Sequence, residues 1–153
     1  MRNMLRILVC LALVAGAIGV AYAQFAKPED AIKYRQASMF LIGQHFGGRM
    51  GAVVKEKQLY NAEDFARSAA LVETLAKLAW EAFLVPGSAE GETKLKPEAL
   101  QAPDKFKAAA AQMETAMAKL VGLAKGGDMN AIKGQFGEVG KSCRGCHQEF
   151  RTK

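Results

Sequence analysis

Residues 128–150 read DMNAIKGQFGEVGKSCRGCHQEF, and this stretch decides the fold class. Its apolar positions recur three or four residues apart, which is the spacing of one face of an α-helix. These positions are Ile132, Phe136, Val139, Cys143, Cys146 and Phe150. Asp128 stands just before them as an N-cap, where a carboxylate accepts hydrogen bonds from free backbone N–H groups. We therefore predict one amphipathic helix with both cysteines on its apolar face.

Three earlier stretches repeat the helical period. The first begins at Pro28 and carries Ile32, Met39, Ile42, Phe46 and Met50. The second begins after the N-cap Asn61, carries Phe65, Ala69, Val72, Leu75, Ala79 and Phe83, and ends at Pro86-Gly87. The third begins near Pro103, carries Phe106, Ala110, Met113, Met117 and Leu120, and ends at Gly126-Gly127. Residues 86–102 are predicted to be one long connection. Four amphipathic helices without a strand pattern predict an all-α protein, an antiparallel four-helix bundle with its cofactor site in the core.

Composition excludes several classes of protein. The chain has 153 residues, of which 50% are hydrophobic and 24% charged, so it is too apolar for disorder and too short for a second ordinary domain. Its formal net charge is +6. The one dense basic cluster surrounds two cysteines and comprises Lys141, Arg144, Arg151 and Lys153. Because the positive charge is concentrated only in this cluster, we expect no nucleic-acid partner.

Residues 1–23 have the pattern of a secretory signal peptide. Arg2 and Arg6 precede an uncharged apolar run, which ends in Ala21-Tyr22-Ala23 and so fits the rule for signal peptidase cleavage. The run, residues 7–23, is shorter than the roughly 20 residues of a spanning helix, although a membrane anchor is the alternative reading. We predict cleavage before Gln24, loss of Cys10, and a periplasmic domain of residues 24–153 with no membrane attachment.

The sequence Cys143-Arg144-Gly145-Cys146-His147 is C-x-x-C-H, the attachment signature of c-type haem. Two thiols must reach two vinyl groups on one edge of a porphyrin, and an imidazole must bind the iron from one face. On a helix these three side chains lie at i, i+3 and i+4 and share one patch. We therefore predict one haem c, attached through two thioethers, with His147 as the metal ligand.

Three other readings of the cysteine pair remain. A C-x-x-C redox site is typical of a βαβ context with a cysteine at a helix N-terminus, whereas this pair ends an all-helical chain. A zinc site needs a fourth ligand, and His45 is the only other histidine. A purely structural pair is the third reading.

The opposite face of the iron decides what a haem protein does. Candidate ligands there are His45, Met39, Met50, Met113, Met117 and Met129, most of which suit core packing. With about 100° per residue, Ile32, Phe46 and Met50 fall close to Met39 on the first helix, and Arg35 about 40° away. His45 falls about 120° from that face, so a surface position is expected. The predicted wall is Met39 with apolar neighbours and without hydrogen-bonding groups.

The chain resembles the cytochromes c′, the class II c-type cytochromes. The matching residues are the run Gln24 to Gln36 (QFAKPEDAIKYRQ), His45-Phe46, Arg49-Met50, the second helix with Trp80, and Gly140 to His147 (GKSCRGCH) with Phe150-Arg151. A haem motif at the C-terminus of a four-helix chain is characteristic of that class.

The resemblance implies a homodimeric four-helix bundle with five-coordinate high-spin haem held by His147. It implies that Met39 blocks the distal face, that Arg35 meets a haem propionate, and that Arg151 is the basic residue beside the proximal histidine. Such proteins bind nitric oxide and carbon monoxide, discriminate against oxygen, and are thought to carry nitric oxide or electrons. They are not expected to be enzymes.

Two alternatives follow from the same residues. Related low-spin class II cytochromes of the c-556 type use a first-helix methionine as sixth ligand, and Met39 would make this chain a six-coordinate electron carrier. A haem enzyme would need distal acid–base groups, and the first helix supplies none except Arg35 turned inward.

Phe40 and Leu41 are predicted to point outward, where the family's dimer would bury them. The redox partner is unidentified, and the basic residues around the motif would steer an acidic one.

Overall fold

The computed structural model describes residues 24–153, so the predicted signal peptide lies outside the described residues. The helices in chain order are α1 (Pro28–Ile42), α2 (Gly51–Val54), α3 (Ala62–Trp80), α4 (Glu98–Gln101), α5 (Pro103–Ala124) and α6 (Met129–Phe150). A π-helical segment, Gly43–Met50, joins α1 to α2 without a break. Helix α3 packs between α1 and α5, and α6 packs along α5 and closes against α2. The predicted all-α four-helix bundle is confirmed.

The helix starts follow the local signals in the sequence. The Asn61 side chain accepts a hydrogen bond from the Asp64 N–H at 3.0 Å, and the Asp128 carboxylate accepts from Asn130 and Ala131. Pro28 and Pro103 occupy first-turn positions, where a missing N–H costs nothing. The second predicted helix ends at Trp80, three residues before the last position of its predicted apolar stripe, Phe83, and turns continue to residue 83.

The π-helical segment departs from the predicted regular first helix. Its backbone bonds span five residues, as in the Gly51 N–H that donates to the Phe46 carbonyl. Each π turn holds more residues than an α turn, so the positions after Gly43 rotate away from the faces that 100° per residue predicts. The ring of Phe46 stacks on Phe136 with centroids 4.1 Å apart, which ties the segment to α6.

The core consists of two clusters. The larger runs along the bundle and includes Val72, Met117, Leu120, Ile132 and Val139, all fully buried. The smaller lies under the long connection and consists of Leu95, Ala99, Phe106 and Phe150. Trp80 packs against both clusters, so it marks their junction.

The long connection, predicted as a loop, contains a short helix and makes buried contacts with the rest of the bundle. It contains the short helix α4, and Ser88 within it is fully buried. Lys96 N–H donates to the Phe150 carbonyl, and Thr152 N–H donates to the Lys94 carbonyl, both at 2.9 Å. The connection therefore holds the end of α6. Among residues 24–153, no helix has the length and apolar character needed to cross a membrane.

Candidate functional site

A cavity of about 640 Å³ opens where α1, the π-helical segment, the end of α3 and the end of α6 meet. Its walls include every residue singled out from the sequence as a site residue: Arg35, Met39, Cys143, Cys146, His147 and Arg151. A second depression, of about 480 Å³, lies at the other end of the bundle beside Tyr60 and Met129 and is lined by neither cysteine nor histidine. The chemistry-bearing residues thus converge on the larger cavity.

The two cysteines and the histidine project from the last two turns of α6. Cys143 packs against the larger core cluster and Cys146 against the smaller one, so the pair spans their junction. Both are free thiols. In the part of the chain that the structure describes, no three His, Cys, Asp or Glu side chains form a group able to hold a metal ion. A tetrahedral zinc site therefore has no ligand set here.

Burial changes the protonation of these groups. Desolvation raises the pKa of the Cys143 thiol, and it raises the pKa of Cys146 to about 11, with smaller contributions from Cys143 and Glu149. Desolvation and then the positive charge of Arg151 hold the pKa of His147 below its ordinary value. Both thiols are consequently protonated at neutral pH, and the imidazole is in the neutral form that binds metals.

Arg35 is a buried cation, 3% exposed, at one edge of the cavity. Its Nη1 donates to the Ala82 carbonyl and the Ser88 hydroxyl, each at 2.9 Å. Its Nη2 donates to the Ser88 carbonyl and to the Thr93 hydroxyl. Burial without a carboxylate lowers the pKa of Arg35 to about 10. The guanidinium therefore lacks a counter-ion among the described residues, although buried charges are normally paired.

The wall formed by the first helix is Met39 with Ile42 and Phe46, as the stripe predicts. The prediction that this wall offers no polar group is incomplete, because Gln36 also lines the cavity, as do Thr93 and Ser142 from other elements. Each of these three side chains makes a hydrogen bond within the protein. Gln36 Nε2 donates to the Glu92 carbonyl at 2.8 Å, Ser142 Oγ donates to the Val139 carbonyl at 2.7 Å, and Thr93 Oγ1 bonds Arg35 and the Leu95 N–H.

His45 lies away from the cavity, as predicted, but it is half-buried instead of exposed. Its ring Nδ1 is buried without a hydrogen-bond partner. His45 lies within the π-helical segment. Phe40 and Leu41 are exposed, at 64% and 42%, as predicted.

Trp80 is a cavity residue that sequence reasoning did not single out as functional. Its indole Nε1 is buried and has no hydrogen-bond partner. Two signals were available: it is the one tryptophan of the chain, and it lies in the second helix, which is part of the resemblance.

Comparison with known sequences places the chain in a family. A sequence model described as Cytochrome C' matches residues 30–151. The chain belongs to the cytochrome c′ family. Cytochrome c′ of Rubrivivax gelatinosus is 44% identical over 131 residues, covering 85% of this chain and 100% of that protein. Cytochrome c′ of Alcaligenes xylosoxydans xylosoxydans is 39% identical over 130 residues, covering 85% and 99%.

Solved structures of cytochromes c′ share the fold. Cytochrome c′ of Shewanella frigidimarina has a TM-score of 0.81 at 37% identity and covers 85% of this chain and 100% of that chain. Variants of the Alcaligenes xylosoxidans protein have been solved as a nitric oxide complex (TM-score 0.78) and with carbon monoxide bound (0.79). Both are 38% identical to this chain and cover 85% of it; the match spans 99% and 100% of those chains.

Members of this family carry covalently bound haem c, and the cavity fits that group. Two thiols and an imidazole line it at the spacing that haem attachment requires. Arg35 offers a positive charge without a counter-ion among the described residues, and the Trp80 Nε1–H offers a donor without an acceptor there. An anionic, flat, largely apolar group would satisfy all three features.

Proposed function

We propose that this cytochrome c′ is a periplasmic haem c protein that binds nitric oxide or carbon monoxide at a five-coordinate high-spin iron and exchanges single electrons. One observation carries the proposal. The thiols of Cys143 and Cys146, the imidazole of His147 and the apolar side chain of Met39 line the same cavity. A cavity that offers attachment on one side and only an apolar wall on the other suits an open iron site.

The C-terminal helix α6 attaches and orients the haem. The thiols of Cys143 and Cys146 would hold the haem through two thioether bonds. His147 is the metal ligand, and its lowered pKa keeps the imidazole available at neutral pH. When bound, the haem supplies a redox-active iron with one free coordination position.

Met39 guards the opposite face. The polar side chains Gln36, Thr93 and Ser142 at the cavity already bond within the protein. A polar guest beside Met39 would lose its hydration without gaining a hydrogen bond from them, which costs free energy. The desolvation cost is small for neutral diatomic molecules, because they are weakly hydrated. Binding is therefore limited by displacement of the Met39 side chain.

Arg35 and Arg151 provide positive charge at the cavity. Arg35 lacks an acidic partner among the described residues, so a haem propionate is the counter-ion that its burial calls for. Arg151 follows the haem helix directly, and its charge contributes to the lowered pKa of His147. Both arginines stabilise the carboxylate-bearing group in the folded protein.

Met39 supports a second candidate function, because its side chain lines the same cavity as the haem motif. If that sulfur binds the iron, the protein is a six-coordinate low-spin electron carrier of the c-556 type. The two functions differ in one bond. Both use the same covalent attachment and the same proximal histidine.

The absorption spectrum of the ferrous protein, recorded with and without carbon monoxide, separates the two functions. We expect broad high-spin bands that shift when carbon monoxide binds. Sharp, split low-spin bands unmoved by the gas would overturn the five-coordinate proposal. The matched variant is Met39→Leu, which leaves the spectrum high-spin if Met39 only packs and converts it from low-spin to high-spin if Met39 ligates.

The outer surface supports two further parts of the proposal. Phe40 and Leu41 are exposed on the first helix, and a homodimer packed through that helix would bury them. Sedimentation of the protein and of the variant Phe40→Glu tests this, since a charge at the interface would favour the monomer. The basic residues Arg144, Arg151 and Lys153 beside the haem motif would attract an acidic redox partner, with rates that fall as salt rises.

A further inference from the structure

The indole nitrogen of Trp80 is the polar atom that the proposed function leaves unexplained. Nε1 is buried and has no partner, although its residue lines the cavity. A buried tryptophan usually satisfies its N–H, and leaving such a donor unpaired costs about 1–3 kcal/mol. No described protein atom accepts the bond, and an acceptor on a group that fills the cavity would remove this cost.

A shared aromatic neighbour links Trp80 to the buried cation. The ring of Phe83 contacts both residues: its centroid is 5.7 Å from that of Trp80 and 5.2 Å from the guanidinium carbon of Arg35. Trp80 also meets Phe106 edge to face at 6.2 Å. The aromatic contacts fix the plane of the indole, so its N–H direction is set before any group enters.

We propose that the Trp80 N–H donates a hydrogen bond to a propionate carboxylate of the bound haem, beside the charge of Arg35. The propionate oxygens are the anionic acceptors of a haem, and its faces and methyl groups offer none. Propionates lie on the porphyrin edge opposite the vinyl groups, and the vinyl groups are held by Cys143 and Cys146. Trp80 is therefore a positioning residue, which sets the orientation and the ionisation of that carboxylate.

The proposal depends on haem occupying the cavity and not on the coordination number of the iron. A hydrogen bond to the charged form stabilises that form and lowers the pKa of the propionate. Ionised propionates favour ferric iron, so the midpoint potential falls as pH rises through that pKa. Loss of the donor should displace this fall to higher pH by about one unit.

The experiment exploits the single tryptophan of the chain. Growth on 3-benzothienylalanine replaces the N–H of Trp80 by sulfur and changes no other position of the mature protein. The midpoint potential is then measured against pH, and resonance Raman spectra record the propionate bending mode. In the protein that contains the analogue, we expect the fall in midpoint potential to occur at higher pH and the propionate bending mode to shift. The control is Tyr60→Phe, which removes a hydrogen-bond donor at the other end of the bundle, where the hydroxyl donates to the Ala124 carbonyl, and leaves the titration in place.

An unchanged titration together with an unchanged propionate mode would overturn the proposal. A second measurement on the unaltered protein covers the case in which the analogue fails to fold. In a diamagnetic ferrous form, with carbon monoxide or with Met39 bound, the single ¹⁵N-labelled indole gives one N–H signal. We expect slow exchange of this proton with solvent and a through-space contact to a propionate methylene. Rapid exchange, or absence of that contact, would equally overturn the proposal.

Discussion

Arg35 and Ser88 are joined by two hydrogen bonds, from Nη1 to the serine hydroxyl at 2.9 Å and from Nη2 to the serine carbonyl. Both residues are buried, and they stand 53 positions apart in the chain. This contact fastens the long connection onto the first helix. It also fixes the guanidinium at the cavity edge, because four of its five N–H groups are already directed at protein acceptors.

The Ser88 hydroxyl should matter for stability. Ser88→Ala removes an acceptor from a buried charged donor, so the free energy of unfolding should fall by about 2 kcal/mol. Urea denaturation of the haem-loaded protein, followed by far-UV circular dichroism, measures the loss. The control Thr74→Ala deletes an exposed hydroxyl that bonds the Ala70 carbonyl within its own helix, and it should cost no more than about 0.5 kcal/mol. Equal losses in the two variants would argue against a special role for the Arg35–Ser88 contact.

Shortening Met39 should speed the binding of carbon monoxide. Moving a packed side chain off its preferred rotamer costs of the order of 1 kcal/mol, so Met39→Ala should accelerate association by roughly fivefold. Flash photolysis of the ferrous complex gives the rate. The control Met129→Leu changes a methionine beside the other depression and should leave the rate unaltered. A rate for Met39→Ala equal to that of the unaltered protein would show that the side chain is no barrier.

The thiol of Cys146 should resist alkylation in the folded haem-free protein. Its pKa is raised to about 11, so the reactive thiolate forms only as pH approaches that value. The rate of reaction with iodoacetamide should therefore rise up to about pH 11. Folding favours the protonated thiol, so stability is complete below the unfolded pKa of about 8.5 and declines as pH rises toward 11. Circular dichroism confirms that helices persist, and an inflection near pH 8.5 in helical protein would contradict the prediction.

Two glycines of the connection provide a matched pair. Gly87 has φ +77° and Gly91 has φ +79°, so alanine at either should cost about 1–2 kcal/mol of backbone energy. A Cβ at Gly87 would also come within 3.2 Å of the Pro28 ring, whereas a Cβ at Gly91 meets nothing within 4 Å. Gly87→Ala should therefore destabilise the protein more than Gly91→Ala in urea denaturation. The reverse order would mean that the contact with Pro28 yields without cost.

The sequence predicts well the features that depend on local signals. Asn61 and Asp128 cap helices as expected, and Pro103 opens the third predicted helix. Periodicity alone places Cys143 and Met39 on walls of a common interior, since a helix face is defined by residues a few positions apart. The haem motif is likewise contained in five consecutive residues.

Features that depend on distant contacts or on altered helical geometry escape sequence reasoning. His45 is half-buried within a π-helical segment, whose geometry a fixed angle of 100° per residue does not describe. The four acceptors of Arg35 lie 47 to 58 positions along the chain and include two backbone carbonyls, which carry no sequence signal. Trp80 gains its importance from an unpaired atom, which only coordinates reveal.

The position of Trp80 on the cavity wall has an optical consequence. Because it is the one tryptophan of the chain, all indole emission comes from a site in contact with the haem pocket. We expect energy transfer to the porphyrin to quench this emission almost completely in the mature protein. The haem-free chain should fluoresce strongly by comparison. The tryptophan emission of a preparation therefore reports the fraction of molecules that lack haem.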